Sequence, residues 1–253
     1  MASNGTPLKA ELEVMLKDAQ GDLTKAVAEI SYPDGDKIKA LRFAKLAQGT
    51  YEIVRSSAIE YASQPGSLDE VIHEANRQIP HTHLVQAMAL HNIGHSIYRR
   101  RRNALDDTTR TAFSNAVGGY QTAYSAFKEG AGSYRTAEEQ YSRRLLLEQL
   151  YPGWASTCFV LGLDAAKGGI RLINFPEPGR LVTPTEILKG LDYIDIAIRY
   201  FGTSLGMAEA AKKDIINIAP FENRARSRLV QLNSMAHRAA RSISDTERAA
   251  KYG

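Results

Sequence analysis

The chain of 253 residues carries 32 Lys and Arg against 28 Asp and Glu, with 43% hydrophobic and 24% charged residues. That is an ordinary globular composition with room for a sizeable core, and a net charge of +4 permits an anionic partner without requiring one. A membrane-spanning class is excluded, because no apolar run reaches the ~18–20 residues a bilayer needs and the longest, 84–97, is interrupted by Gln86, His91, Asn92 and His95. Secretion is disfavoured too: the leading residues lack a basic stretch followed by an apolar core, and the lone Cys158 has no internal disulfide partner. The expectation is a cytoplasmic, reducing location with no membrane partner.

Thr6-Pro7 reads as a helix start, with Pro7 at the first position, where a missing N–H costs nothing. Leu8, Leu12, Met15, Leu16 and Ala19 follow at helical spacing. Gly21-Asp22 predicts a break, and Leu23, Ala26, Val27 and Ile30 a second piece. Tyr32-Pro33-Asp34-Gly35 has the chemistry of a turn. A helix is expected over 36–63, and Gln64-Pro65-Gly66 stops it. Ser67 with Glu70 forms a capping-box pattern for a short helix over 68–77, and Pro80 opens a central helix over 81–100.

After a polar connector over 103–107, Ala112, Phe113, Ala116, Tyr120, Ala123, Tyr124 and Phe127 define another helix. Its Gly118-Gly119 pair costs roughly 2 kcal/mol in propensity, which predicts close approach of a neighbouring helix or a kink. Helices follow over 134–150 and 154–172, divided by Pro152-Gly153. The stretch 174–182, NFPEPGRLV, is the most loop-like and marks the expected subdomain break. Thr183, Pro184 and Glu186 repeat the start signal. Gly202 and Gly206 predict a turn before a short helix over 207–218, and Pro220 opens the last long helix. The polar tail from Ser244 reads as frayed. No segment sustains period-2 alternation. The expected fold is all-α: one helical domain over 1–253, an array or bundle of about ten antiparallel helices.

Small residues recur after large apolar ones at Gly94, Gly162 and Ala236, separated by 68 and 74 positions, or about two repeats of ~34–37 residues each. The segment ALHNIGHSIY over 89–98, with Leu90, Ile93, Gly94 and Tyr98, resembles the first helix of the tetratricopeptide family, best over 84–127. The resemblance implies an α-solenoid whose concave face binds a protein or peptide. On it, His91, Asn92, His95 and Tyr98 would line the partner surface, with the following arginines at its rim.

Four of the six histidines lie over 81–95, and His91 and His95 share a helix face. LHNIGH also resembles the core of the HD-domain phosphohydrolases, which implies an all-helical metal enzyme. Here Asn92 stands where that family has a metal-binding aspartate, so the implied enzyme would be degenerate. Neither a metal, a cofactor nor a catalytic residue is expected.

The basic residues are clustered. Arg99, Arg100, Arg101 and Arg102 end the central helix, and capping of its free carbonyls uses one or two of them. Arg143 and Arg144 form another cluster, and Arg224, Arg228, Arg238 and Arg241 share one helix. These ten define a second reading, an RNA-coating or nucleoprotein-like surface. The leading expectation is a non-catalytic protein- or peptide-interaction module, with nucleic-acid binding second and a degenerate phosphohydrolase third.

Overall fold

Apolar spacing outweighs glycine and proline in setting the ends of the helices. The computed structural model describes residues 5–61, 68–100, 106–174 and 181–253. Among these there is no strand; eight α-helices and one 3-10 turn are present. Thr6 and Pro7 lie in the first turn of a helix, with their side chains not described; the Ser67 cap, the residues 103–105, most of the loop-like stretch (175–180), Arg101 and Arg102 fall outside the described structure.

Four expected breaks are absent, so the helices are fewer and longer than the sequence predicts. Helix α1 (Gly5–Ser31) runs through Gly21, where open space leaves nothing to enforce a kink. Helix α2 spans Lys37–Glu60 and is capped by Asp36. Helix α3 (Asp69–Arg100) passes through Pro80, because the buried stripe Val71, Ala75, Ile79, Thr82 continues unbroken across it. Helix α4 spans Asp107–Glu129, with Asp106 as its cap, and the 3-10 turn Ala131–Ser133 follows. Helix α5 (Ala137–Asn174) passes through Pro152 in the same way. Helix α6 (Pro184–Lys213) absorbs both Gly202 and Gly206 and starts with the full capping box of Thr183 and Glu186. Helix α7 spans Ala219–Ser242.

The tail is ordered, contrary to its polar composition. Helix α8 (Thr246–Tyr252) docks through Tyr252, whose hydroxyl donates to Asp195 at 2.6 Å, and Lys251 reaches the same carboxylate at 2.8 Å. Two further contacts hold it: Arg248 to Asp192 at 2.8 Å, and His237 Nδ1 with the Ala249 carbonyl at 2.8 Å.

The chain forms two units, Met1–Leu150 and Tyr151–Gly253, and the division falls inside α5. In the first, α3 packs against α1, α2 and α4 around Tyr51, Leu84, Phe113 and Tyr120, all fully buried. In the second, α6 and α7 pack around Leu191, Ile194 and Phe201 with small residues such as Ala225, Ala236 and Ala240.

One local geometry occurs in both units. In the first, a Cβ on Gly94 would lie 3.2 Å from the Phe113 ring, and His91, one turn earlier, meets that ring edge-on at 5.6 Å. In the second, a Cβ on Gly162 would lie 3.0 Å from the Phe201 ring, and Phe159 meets it edge-on at 5.2 Å. In each case the glycine lets a ring from the next helix lie directly on the backbone.

Candidate interaction surfaces

The turn between α1 and α2 is braced from both sides. Lys37 Nζ donates to the carbonyls of Glu29, Ile30 and Tyr32 at 2.7, 3.2 and 2.8 Å, a cation gathering the free carbonyls at the α1 C-terminus. The Asp36 amide donates to Glu29 Oε2 at 2.7 Å, and the Asp36 carboxylate accepts from the amides of Ile38 and Lys39. Gly35 is required here: a Cβ would sit 2.1 Å from the Glu29 carbonyl oxygen.

This turn forms one wall of a cleft of about 810 Å³. The other wall is a face of α3 made by Asn92, His95, Ser96, Arg99 and Arg100, spaced i, i+3, i+4, i+7, i+8. The cleft therefore sets Asp34, Asp36 and Lys37 opposite two arginines.

The four residues expected to line a partner surface divide between two flanks of α3. Asn92 and His95 enter the cleft. His91 turns inward against Phe113, and Tyr98 stands edge-on to His95 at 6.4 Å. Burial, then the neighbouring His95, pushes His91 down to about 4, so this imidazole is neutral at physiological pH. Burial likewise holds His81 down at about 4 and lowers His83.

Each group of described arginines has its own local setting. Arg99 and Arg100 line the α3 cleft. Arg143 lies 5.3 Å over the Phe127 ring, and Arg144 pairs with Glu148 at 2.8 Å. On α7, Arg224, Arg228, Arg238 and Arg241 are all exposed. Arg228 donates to Gln231 at 3.0 Å, and Arg241 borders a smaller cleft of about 370 Å³ beside α8.

Arg228 leads to a surface that the sequence reading missed. It borders a groove of about 580 Å³ between α5 and α7, whose floor is Leu163, Ala166, Ile170, Leu232 and Met235. Lys167 and Arg171 stand on its α5 side. The signal was present in the sequence as two cations four residues apart, flanking Leu163, Ala166 and Ile170 on one helical face. It was obscured because this stretch reads as a mostly apolar, buried helix.

Among the described residues no group of three or more His, Cys, Asp or Glu is placed to hold a metal ion. Burial drives the Cys158 thiol up to about 12, leaving it protonated and inert. No described helix is long and apolar enough to cross a membrane. Compared with protein families, with characterised proteins and with solved structures, the chain matches none. The class of the molecule is thus set by its own geometry: an all-helical chain of two units with clefts between helices.

Proposed function

We propose that the chain is a non-catalytic interaction module whose α3 cleft takes a segment of a partner protein. The observation that supports this reading is the mixed charge of the cleft: the carboxylates of Asp34 and Asp36 face it together with Lys37, Arg99 and Arg100. A polypeptide offers both charges and many amide groups to such a surface. A phosphate backbone meets repulsion from the two carboxylates and would make no use of them. The bracing of the turn by Lys37 and Asp36 fixes one wall before any partner arrives, which reduces the ordering cost of binding. The tetratricopeptide-like reading belongs with this proposal, since a helical array that binds peptides needs a surface of this kind.

Nucleic-acid binding is the second reading, and a charge asymmetry favours it. Residues 151–253 hold 14 Lys and Arg against 10 Asp and Glu, whereas residues 1–150 hold 18 of each. Arg224, Arg228 and Arg238 fall within an arc of about 80° on α7 at ~100° per residue. Titration of the protein with single-stranded RNA separates the two readings. The module reading predicts no binding at ~50 mM salt. Binding that weakens steeply with salt, and that is lost in the triple variant R224E/R228E/R238E, would replace it with the second. No observation favours the phosphohydrolase reading.

A further inference from the structure

We infer that the groove between α5 and α7 is a docking site for an acidic amphipathic helix of a partner protein. The groove lies within residues 151–253 and stands independently of the α3 cleft. Its lining residues are spaced as a helix-binding surface requires. Positions 163, 166, 167, 170 and 171 on α5, and 228, 231, 232 and 235 on α7, each follow the i, i+3, i+4, i+7 pattern. Each row is about two turns, or ~12 Å, long. The Asn174 side chain donates to Met235 Sδ at 3.2 Å, which ties the two helices together at one end of the groove. Leu163 remains 37% exposed in this setting, so an apolar wall is left uncovered. Met235 at the floor can adapt its shape to an incoming side chain.

Charge selects the occupant. Among the described residues no Asp or Glu lines the groove, while Lys167, Arg171 and Arg228 do. Several other cations of this unit are neutralised within the fold: Arg226 and Lys212 by Glu222, Arg248 by Asp192 and Lys251 by Asp195. Lys167 and Arg171 form no ion pair with any other described residue. An occupant must therefore offer an apolar stripe flanked by carboxylates. An acidic amphipathic helix has both, at the spacing of the two rows. A nucleic acid would leave the apolar floor unused. An acyl chain needs a pocket that encloses most of its surface, whereas this groove is only about half enclosed.

Selection from a phage-displayed library of 16-residue peptides against the full chain tests the inference. Enriched peptides should carry apolar residues at i, i+3 or i+4, and i+7, with Asp or Glu on the flanks. Their affinity should fall about tenfold or more against the rim variant K167E/R171E. It should fall similarly against the floor variant Leu163→Asp, with circular dichroism confirming that both variants keep their helices. Failure to enrich any clone, enrichment of basic peptides, or affinities that neither variant changes would overturn the inference. It is also overturned if only dodecanoate or oligo(U) binds and K167E/R171E abolishes that binding, which assigns the groove to an acyl carboxylate or to nucleic acid.

Discussion

Gly118 and Gly119 are neighbours in sequence, yet only one is needed by the packing. A Cβ on Gly119 would lie 3.0 Å from Ala87 Cβ and 3.2 Å from Ala87 Cα, at the closest approach of α4 to α3. A Cβ on Gly118 would meet nothing within 4 Å. Gly118→Ala should therefore stabilise by about 1 kcal/mol through helix propensity alone. Gly119→Ala gains the same propensity but forces the helices apart, at a cost of about 1–3 kcal/mol, and should be neutral to destabilising. Thermal melts of the two variants should differ by several degrees in Tm, with Gly118→Ala the higher; equal Tm values would contradict this packing. The glycine pair was legible in the sequence as a close approach. Which of the two makes it depends on the phase of α4 against α3, and composition does not encode that.

Ile215 gives a second test at this scale. It is a β-branched residue with φ of 60°, 88% exposed, just beyond the C-terminus of α6. The Ile216 amide donates to the Ala211 carbonyl at 2.8 Å, so the chain is held in this left-handed turn by the helix-ending bonds. A glycine adopts that conformation without Cβ strain. Ile215→Gly should raise stability by roughly 1 kcal/mol, read as a higher denaturant midpoint with an unchanged slope.

At the scale of elements, α3 organises the first unit, and its histidines make that unit acid-sensitive. His81 and His91 each titrate at about 4 in the folded chain, held down first by burial, against about 6.5 when unfolded. The unfolded chain thus binds protons more readily throughout this window. Stability rises with pH between about 4 and 6.5 and is lost as the pH falls through it. Together the two histidines should remove about 2 kcal/mol between pH 6 and pH 5, and His83 adds in the same direction. Tm measured against pH should fall across that range and fall less in His91→Gln. A flat profile from pH 7 to 5 would show that these rings are not held neutral by the fold.

The sequence showed α3 as an apolar helix carrying histidines. It did not show that Pro80 lies inside the helix, because a proline signal is local and the buried stripe that overrides it is tertiary. Likewise α8 read as a frayed polar tail. What orders it, the contacts of Tyr252, Lys251 and Arg248 with two α6 carboxylates, lies 56 or 57 positions away in sequence. The all-α class was legible because it depends only on short-range periodicity. The clefts were legible in part: Asn92, His95, Arg99 and Arg100 share one face, which spacing reveals. Their partners across the cleft, Asp34 and Asp36, come from a turn 56 or more residues earlier, and no pattern within the helix points to them.

At the scale of the whole molecule, the two units differ in both titration and charge. The histidines with lowered pKa all lie in residues 1–150, and the excess positive charge lies in residues 151–253. Acid should therefore loosen the first unit first. Hydrogen exchange at pH 5, corrected for intrinsic rates and compared with pH 7, should show lost protection in α1 to α4 while α6 and α7 retain theirs. Uniform loss along the chain would mean that the two units open as one.

The claim that this molecule binds a protein through the α3 cleft is tested most directly by photo-crosslinking. Ser96, exposed on the cleft face, is replaced by benzoylphenylalanine in the source cells, and the adducts are identified by mass. Discrete protein adducts are expected, lost when Asp34→Arg and Arg99→Glu are added and absent when the probe is placed at exposed Val14 on α1. Adducts to nucleic acid, or adducts that are the same from both positions, would contradict it.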